Sequence, residues 1–405
     1  MKTIIVILLL LVILYLLITI INKLINNAHI KAILKLNQLN YDSQLNPKVD
    51  SDGSFYFKTD RAFKILQLTD LHIGAGFLTI KKDKMAINAI ASMIAEEKPD
   101  LVVVTGDIAF PVPYYAGTLN NSYAPKLICT LMEKMGVYWI PVFGNHDTEV
   151  YSYFNREQIG NIYESSAYPH CLFKCGEKQV DGCGNSVINI KNSDDIISQS
   201  LVFLDSHSYT DDNKFGIMRR YDNIKDSQIS YYKLKVKEAI NYNKTLGADD
   251  ELVKGNSLLF FHIPLNEYAD AIEEYKKNNL KDSENVKMLY GRYGEKNKEV
   301  HCAMKRDNLF NTVKSFNAQS GIFCGHDHLN NCSLIYKGVE LTYGYSIDYT
   351  AYYKISRYGL HRGCTSIIVN QDGSFKVQGH NYYEKSYSSP FGLEKEKVNM
   401  APYSN

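Results

Sequence analysis

The sequence predicts an α/β domain of layered sheets and helices behind one apolar N-terminal segment. Three observations support this prediction. Short apolar segments alternate with amphipathic ones from residue 64 onward, the C-terminal part reads as consecutive strands, and the first 21 residues contain a long apolar run. Alternation of strands and helices is typical of domains in which helices cover a sheet.

Composition excludes several classes of protein. The chain has 405 residues, of which 45% are hydrophobic and 22% charged, so it is neither disordered, collagenous nor a coiled coil. Its length allows one large domain or two. Because 45 Lys and Arg face 44 Asp and Glu, the net charge is +1, and we expect no nucleic-acid partner.

The N-terminal run predicts a membrane anchor over residues 4–21. These 18 residues are apolar except for Tyr15 and Thr19, and as a helix they would reach roughly 27 Å, close to the thickness of the hydrocarbon core. A cleavable signal peptide has a shorter apolar region and small residues before the cut, whereas Asn22 and Lys23 follow here. Lysines flank the run on both sides, so the side of the membrane that holds the domain stays open.

The remaining chain divides by composition. Residues 22–54 are rich in Asn and Lys and predict a helical extension followed by a tether; residues 55–387 form the domain, and 388–405 a loose charged tail. Eight cysteines are present without a C-x-x-C pair. For Cys171, Cys175 and Cys183, a disulfide or a metal stays open beside reduced thiols.

Apolar spacing predicts the individual elements. The segment 101–105 is apolar at nearly every position, as expected for a strand buried on both faces. The segment 85–97 repeats apolar residues at helical spacing and is stopped by Lys98 and Pro99. Pro141 disfavours a central position for its strand. We predict further strands at 64–69, 138–143, 199–204, 257–261, 321–324, 333–343, 365–370 and 375–379, and further helices at 124–135 and 227–244.

Acids, amides and histidines follow five of the predicted strands directly. In open α/β sheets the carboxyl ends of the strands line the binding crevice, so we expect these groups to meet in one place. The groups are Asp70 with His72, Asp107, Asn145 with His146 and Asp147, His262, and His326 with His328.

The side chains of these groups suit metal ions. Carboxylate, amide and imidazole ligands without thiolate favour Zn, Fe, Mn or Co. Seven ligands are too many for one tetrahedral ion, but they suit two ions that share a bridging carboxylate, as in two-metal phosphate chemistry. Each histidine taken alone would favour a hydrogen-bonded core residue; the five groups in this order favour the metal site.

These blocks resemble the signature motifs of the calcineurin-like metallophosphoesterases. The resemblance extends from about residue 63 to 383. The local sequence around the first and last motifs is similar to that of small purple-acid-phosphatase-like enzymes, which form one branch of the family. It implies a double β-sandwich flanked by helices. It implies that Asp107 bridges two metals, of which the first is held by Asp70, His72 and His328 and the second by Asn145, His262 and His326. True purple acid phosphatases carry a tyrosine ligand where this chain has Phe110.

The resemblance also implies a reaction. A hydroxide that bridges the metals attacks phosphorus in line, and His146 stabilises the transition state or protonates the leaving oxygen. Asp147 either orients His146 or caps the following helix. We therefore expect a membrane-anchored phosphomonoesterase or phosphodiesterase that uses two divalent, or mixed iron and divalent, ions drawn from Mn, Fe and Zn.

Three alternatives stay open. The first is a hydrolase of lipid-linked pyrophosphates or lipid headgroups, which would suit an anchored domain. The second is a nuclease with the same ligands, which the near-zero charge disfavours. The third is an inactive metal-binding scaffold, whose mark would be a missing ligand. The oligomeric state stays open.

Overall fold

Two β-sheets pack face to face and are covered on both outer sides by helices, which confirms the predicted fold class. The computed structural model describes residues 1–213, 218, 220–294, 300–352, 355 and 362–398. Within this part of the chain, the helices are α1 (Lys2–Ile33), α2 (Ile80–Glu97), α3 (Pro113–Ala116), α4 (Tyr123–Met135), α5 (Arg156–Tyr163), α6 (Asp226–Thr245), α7 (Asn266–Lys277) and α8 (Leu309–Ser315).

The strands divide between a sheet of nine and a sheet of five. The smaller sheet has the order β14 (Phe375–Asn381), β13 (Gly363–Val369), β3 (Phe63–Leu68), β4 (Leu101–Thr105), β5 (Trp139–Val142). The larger has the order β1 (Lys48–Val49), β2 (Phe55–Lys58), β6 (Ser186–Lys191), β7 (Ile197–Phe203), β8 (Ser257–Phe260), β10 (Ser320–Cys324), β12 (Val339–Tyr343), β11 (Ser333–Tyr336), β9 (Val286–Tyr290).

The period of two along each strand builds the layers. In β4, Leu101 and Val103 face the core between the sheets, while Val102 and Val104 face α2 and α4. All four are fully buried. Strand β5 pairs only with β4 among the described strands, so Pro141 lies on an edge strand, where its missing N–H is tolerated. Helices α6, α7 and α8 cover the outer face of the larger sheet.

Strand direction places the candidate groups. Strands β3, β4 and β5 run parallel in one sheet, and β7, β8, β10 and β12 run parallel in the other. The imidazole Nδ1 of His262, after β8, lies 2.8 Å from the carbonyl oxygen of Thr105 at the end of β4. Strand ends of both sheets therefore meet at one edge of the sandwich.

Helix α1 is long and apolar enough to cross a membrane, and it continues past the predicted anchor to Ile33. Its last turns pack against α4, and Asn22, Asn26, His29 and Ile33 are buried there. The segment 22–54, predicted as a tether, thus contacts the domain and includes β1. In the predicted tail, Lys395 donates hydrogen bonds to Tyr382 and Lys385, and residues 399–405 lie outside the described part. The domain boundaries stay predictions.

Two buried asparagines join α1 to the domain, and their loss should loosen this junction. Asn22 donates to Gly117 and accepts from the N–H of Phe77, and Asn26 donates to the carbonyl of Ala75 at 2.7 Å. Asn26→Ala leaves the buried carbonyl of Ala75 without its partner, and Asn22→Ala leaves two part-buried backbone groups without theirs, so each should lower the free energy of unfolding by about 1–3 kcal/mol. Denaturant unfolding of the full chain in detergent measures this.

The matched control is Asn27→Ala, which removes an exposed asparagine from the same helix. Equal unfolding free energies for all three variants would show that the buried contacts do not hold the helix to the domain.

Candidate metal centre

Seven of the predicted side chains meet at the common edge of the two sheets. Asp107, after β4, lies in their middle: its Oδ2 is 3.0 Å from Nε2 of His72 and 3.2 Å from Nε2 of His262. The ligand atoms of Asp70, His72, Asp107 and His328 all lie within 4.8 Å of one another. This is the set that the resemblance assigns to the first metal together with the bridging carboxylate.

The second set lies beside the first. Nε2 of His262 is 3.1 Å from Oδ1 of Asn145 and 3.3 Å from Nδ1 of His326. Asp107 contacts members of both sets, as a bridging ligand would. Which metal each residue holds stays a prediction.

The chemistry of this cluster fits cations. Imidazole nitrogens and carboxylate or amide oxygens of different residues lie 3.0–3.4 Å apart. Few protons are available to form hydrogen bonds between them. The buried Nε2 of His326 has no hydrogen-bond partner among the described residues. Metal ions placed between these atoms would give their lone pairs a partner, so the residues present suit the two ions that the family uses.

The pKa shifts of three of these residues also indicate a site for positive charge. Burial by itself lowers the pKa of His262, but the Asp107 and Asp70 carboxylates raise it to about 9. Burial likewise lowers the pKa of His72, yet Asp348 and Asp107 raise it to about 9. Asp107 has its pKa held well below the usual range because neighbouring His262 and His146 outweigh its burial. The carboxylates therefore stabilise positive charge at this spot, which protons supply in the absence of metal.

Strained backbone and close packing position the ligands. Asp70, His72, Asp107 and His326 all adopt left-handed conformations, with φ between 45° and 75°, which non-glycine residues rarely do. Such residues gather at functional sites, where the surrounding structure holds them in place.

Two glycines in the motifs allow the loops to approach each other. A Cβ atom on Gly144 would come within 2.2 Å of Oδ1 of Asp107, and a Cβ atom on Gly325 within 2.8 Å of Oδ2 of Asp70. A side chain at either position would displace a candidate ligand. This explains physically why Gly precedes Asn145 and His326.

The two predicted catalytic residues lie in different settings. The ring of His146 is partly exposed at the edge of the cluster, and its Nδ1 lies 2.6 Å from Oε1 of Glu149. Asp147 is buried and accepts hydrogen bonds from the backbone N–H groups of Asp107, Ala109 and Gly144. Asp147 therefore ties the loops after β4 and β5 together. It does not cap the next helix, α5, whose N-cap is Asn155, and Glu149 rather than Asp147 contacts the ring of His146.

Sequence reasoning missed two carboxylates. Asp348 has Oδ1 3.4 Å from Nδ1 of His72 and Oδ2 3.1 Å from Nδ1 of His328, so it lies behind both imidazoles. It follows β12, which runs parallel to β10, and the strand-end argument extended to β12 would have found it. Glu149 lies three residues after His146, a spacing that carries no signal by itself.

Phe110 and the cysteines also stand out in the sequence. Phe110, at the position of the tyrosine ligand, packs with its ring centroid 4.9 Å from that of His72. All eight cysteines lie in the described part of the chain, and none of them forms a disulfide there.

Asp348 should tune metal affinity without touching a metal. A carboxylate behind a ligand imidazole fixes its tautomer and orientation, and its removal costs about 10–100-fold in affinity in known sites. We therefore expect Asp348→Asn to weaken metal binding by about this factor while the chain stays folded. Titration of the metal-stripped full chain with Mn²⁺ or Zn²⁺ measures it.

Glu133→Gln is the matched control because Glu133 pairs with His170, near the opposite end of β5, at 2.6 Å. Metal affinity that is equal in Asp348→Asn and in this control would exclude the positioning role.

Comparisons with known proteins agree with this geometry. Residues 63–330 match the family model described as calcineurin-like phosphoesterase. The chain is 29% identical to "Probable inactive purple acid phosphatase 29" of Arabidopsis thaliana, over 78% of each chain. It is 30% identical to "Phosphatase DCR2" of Saccharomyces cerevisiae over 71% of this chain, which spans about half (47%) of that relative.

A solved structure shows the same fold. The crystal structure of a dimetal phosphatase from Danio rerio superposes with a TM-score of 0.51 at 11% identity, covering 80% of this chain and 97% of that one. The family model spans well over half of the chain and includes all seven candidate ligands. The predicted family, fold and enzyme class are therefore confirmed: the chain belongs to the calcineurin-like phosphoesterase family.

Proposed function

We propose that this chain is a membrane-anchored dimetal phosphoesterase that hydrolyses a phosphomonoester or phosphodiester. The observation that carries the proposal is the convergence of six ligand side chains, four of them buried, on the buried carboxylate of Asp107. Two metal ions held there would activate water and neutralise charge on the phosphoryl oxygens. Mn, Fe and Zn suit these ligands, and Asp70, His72 and His328 would hold one ion and Asn145, His262 and His326 the other.

His146 supplies proton chemistry in this proposal. The Glu149 carboxylate accepts from Nδ1 of the imidazole, which leaves Nε2 on the opposite edge of the ring for the substrate. Glu149 also accepts from the hydroxyl of Tyr209, and that hydroxyl accepts from Asn145. His146 is thus held by a network that begins at a candidate metal ligand, and it is placed to protonate a leaving oxygen.

The scaffold alternative requires a damaged site. Every predicted ligand is present and lies at the cluster, so none of the seven ligand positions favours inactivity. The word "inactive" in the name of the Arabidopsis relative describes that protein. The membrane part of the proposal rests on α1, whose residues 2–17 are exposed and overwhelmingly apolar.

Replacing the central carboxylate should abolish both metal binding and turnover. The full chain, stripped of metal and loaded separately with Mn²⁺, Zn²⁺ or Fe²⁺, is assayed on a chromogenic phosphate monoester and its diester. We expect Asp107→Asn to lose bound metal and to lower turnover at least about a hundredfold. The control is Asp100→Asn, a buried carboxylate at the other end of β4 that pairs with Arg61. Full activity of Asp107→Asn, or absence of bound metal in folded wild-type chain, would refute the proposal.

A proton donor is needed most when the leaving group is a poor one. We therefore expect His146→Gln to lower turnover of an alkyl phosphate by about 10²–10⁴, and that of a nitrophenyl phosphate much less, with bound metal unchanged. Steady-state rates on both esters, beside a metal count for each sample, measure this. Equal losses on the two esters would show that His146 does not protonate the leaving oxygen.

A further inference from the structure

The domain touches α1 within the apolar run and not only after it. The hydroxyls of Tyr15 and Tyr153 are hydrogen-bonded to each other. Tyr15, Ile18 and Thr19 also line a cavity of about 250 Å³ whose other wall includes Phe77, Tyr123 and Tyr153 of the domain. The last two turns of the predicted span therefore lie against protein on one side.

The length of the apolar run then fixes the height of the domain. The residues before Tyr15, 4–14, are exposed and would cover only about 16 Å as a helix. The hydrocarbon core is about 30 Å thick, so a crossing that begins at Ile4 must use the whole run to Ile21. Tyr15 lies six residues before Ile21, about 9 Å along the helix axis. A spanning α1 would thus draw the surface around Tyr153 into the bilayer interface.

That surface is apolar and exposed. We call it the apolar rim and define it as Phe77, Leu78, Tyr114, Tyr115, Val150 and Tyr153. Tyr114 is 77% exposed and Val150 52% exposed. The rim adjoins α1 because Phe77 donates its N–H to Asn22. Exposed aromatic and aliphatic side chains beside a spanning helix are typical of surfaces that sit in the headgroup region, where tyrosine is enriched.

The rim leads to the metal centre. The ring of Tyr114 is 4.6 Å from that of Tyr115, which is 5.8 Å from that of Phe110. Phe110 in turn lies 5.0 Å from His146 and 4.9 Å from His72, measured between ring centroids. Two aromatic contacts therefore connect the exposed rim with the candidate ligands.

We propose that the apolar rim sits in the bilayer interface and that the substrate is a lipid-borne phosphate ester whose acyl chains stay in the membrane during hydrolysis. The reaction rests on the catalytic part of the proposed function, and the position of the rim rests only on its membrane anchor. A phosphate at the headgroup level would reach the metal centre along the aromatic rings, while its apolar part keeps its contact with lipid. The cost of extracting acyl chains into water, about 0.8 kcal/mol per CH₂, is then avoided.

The position of the rim is tested without any activity. The sequence has one tryptophan, Trp139, and it is fully buried. A Tyr114→Trp variant of the full chain is placed in phosphatidylcholine vesicles with or without brominated acyl chains. We expect clear quenching of the added fluorescence by the brominated lipid. The control is Leu246→Trp. It replaces an exposed leucine just after α6, one of the helices that cover the outer face of the larger sheet. Quenching no stronger at position 114 than at 246 would overturn the proposal.

The substrate class is tested by a ratio of rates. Full chain in vesicles is assayed on phosphatidate and phosphatidylglycerol in the same membrane and on soluble nitrophenyl esters. The double variant Tyr114→Glu with Val150→Glu should lower the ratio of lipid to soluble turnover about tenfold or more, because charge disfavours the interface. Leu246→Glu should leave the ratio unchanged.

The outcomes separate the two proposals. If the soluble esters are hydrolysed and neither lipid is, or if the rim variant leaves the ratio unchanged, the lipid substrate is wrong and the phosphoesterase stands. If no ester is hydrolysed with any metal, the proposed function fails together with the lipid substrate, and the quenching experiment still decides whether the rim contacts lipid.

Discussion

The buried carboxylate of Asp107 is the group on which the rest of this structure depends. It lies at the end of an apolar strand, fully shielded from water, and it contacts imidazoles that follow strands in both sheets. A buried charge is costly unless it is paired, so the loops around it must bring positive charge or cations to that point. Left-handed backbone at four ligand positions and the close approach of Gly144 and Gly325 are the local consequences.

Three further carboxylates around the ligands keep this arrangement in place. Asp348 lies behind two imidazoles, Glu149 holds His146, and Asp147 ties three backbone N–H groups of the loops after β4 and β5 together. These carboxylates differ in role although the sequence presents them alike. The difference arises from what each one contacts, which is why a motif alone does not separate a ligand from a positioning residue.

The packing of α1 against the domain fixes the direction of this helix relative to the metal centre. Because α1 is joined to the domain through Asn22 and Asn26, it has a fixed direction relative to the metal centre. A flexible tether would keep the domain near a membrane in any orientation. A helix held by buried hydrogen bonds selects one orientation, and it places an aromatic surface between the apolar run and His146. In the function proposed above, membrane attachment and access to the site are therefore linked through this junction.

The sequence by itself determined most of the strands and the set of polar side chains that meet at the site. Apolar runs such as 101–105 predict buried strands because a strand in a sheet that is covered on both faces has apolar side chains at successive positions. The polar groups that follow these strands are also local features of the chain. Strands β1, β2, β6 and β9 were not predicted, since they are short or mixed in character. The packing of residues 22–54 and the choice of the imidazoles that Asp348 contacts were decided by tertiary structure alone. Both depend on contacts between segments far apart in the chain, and no local pattern records which distant partner a buried polar group will meet.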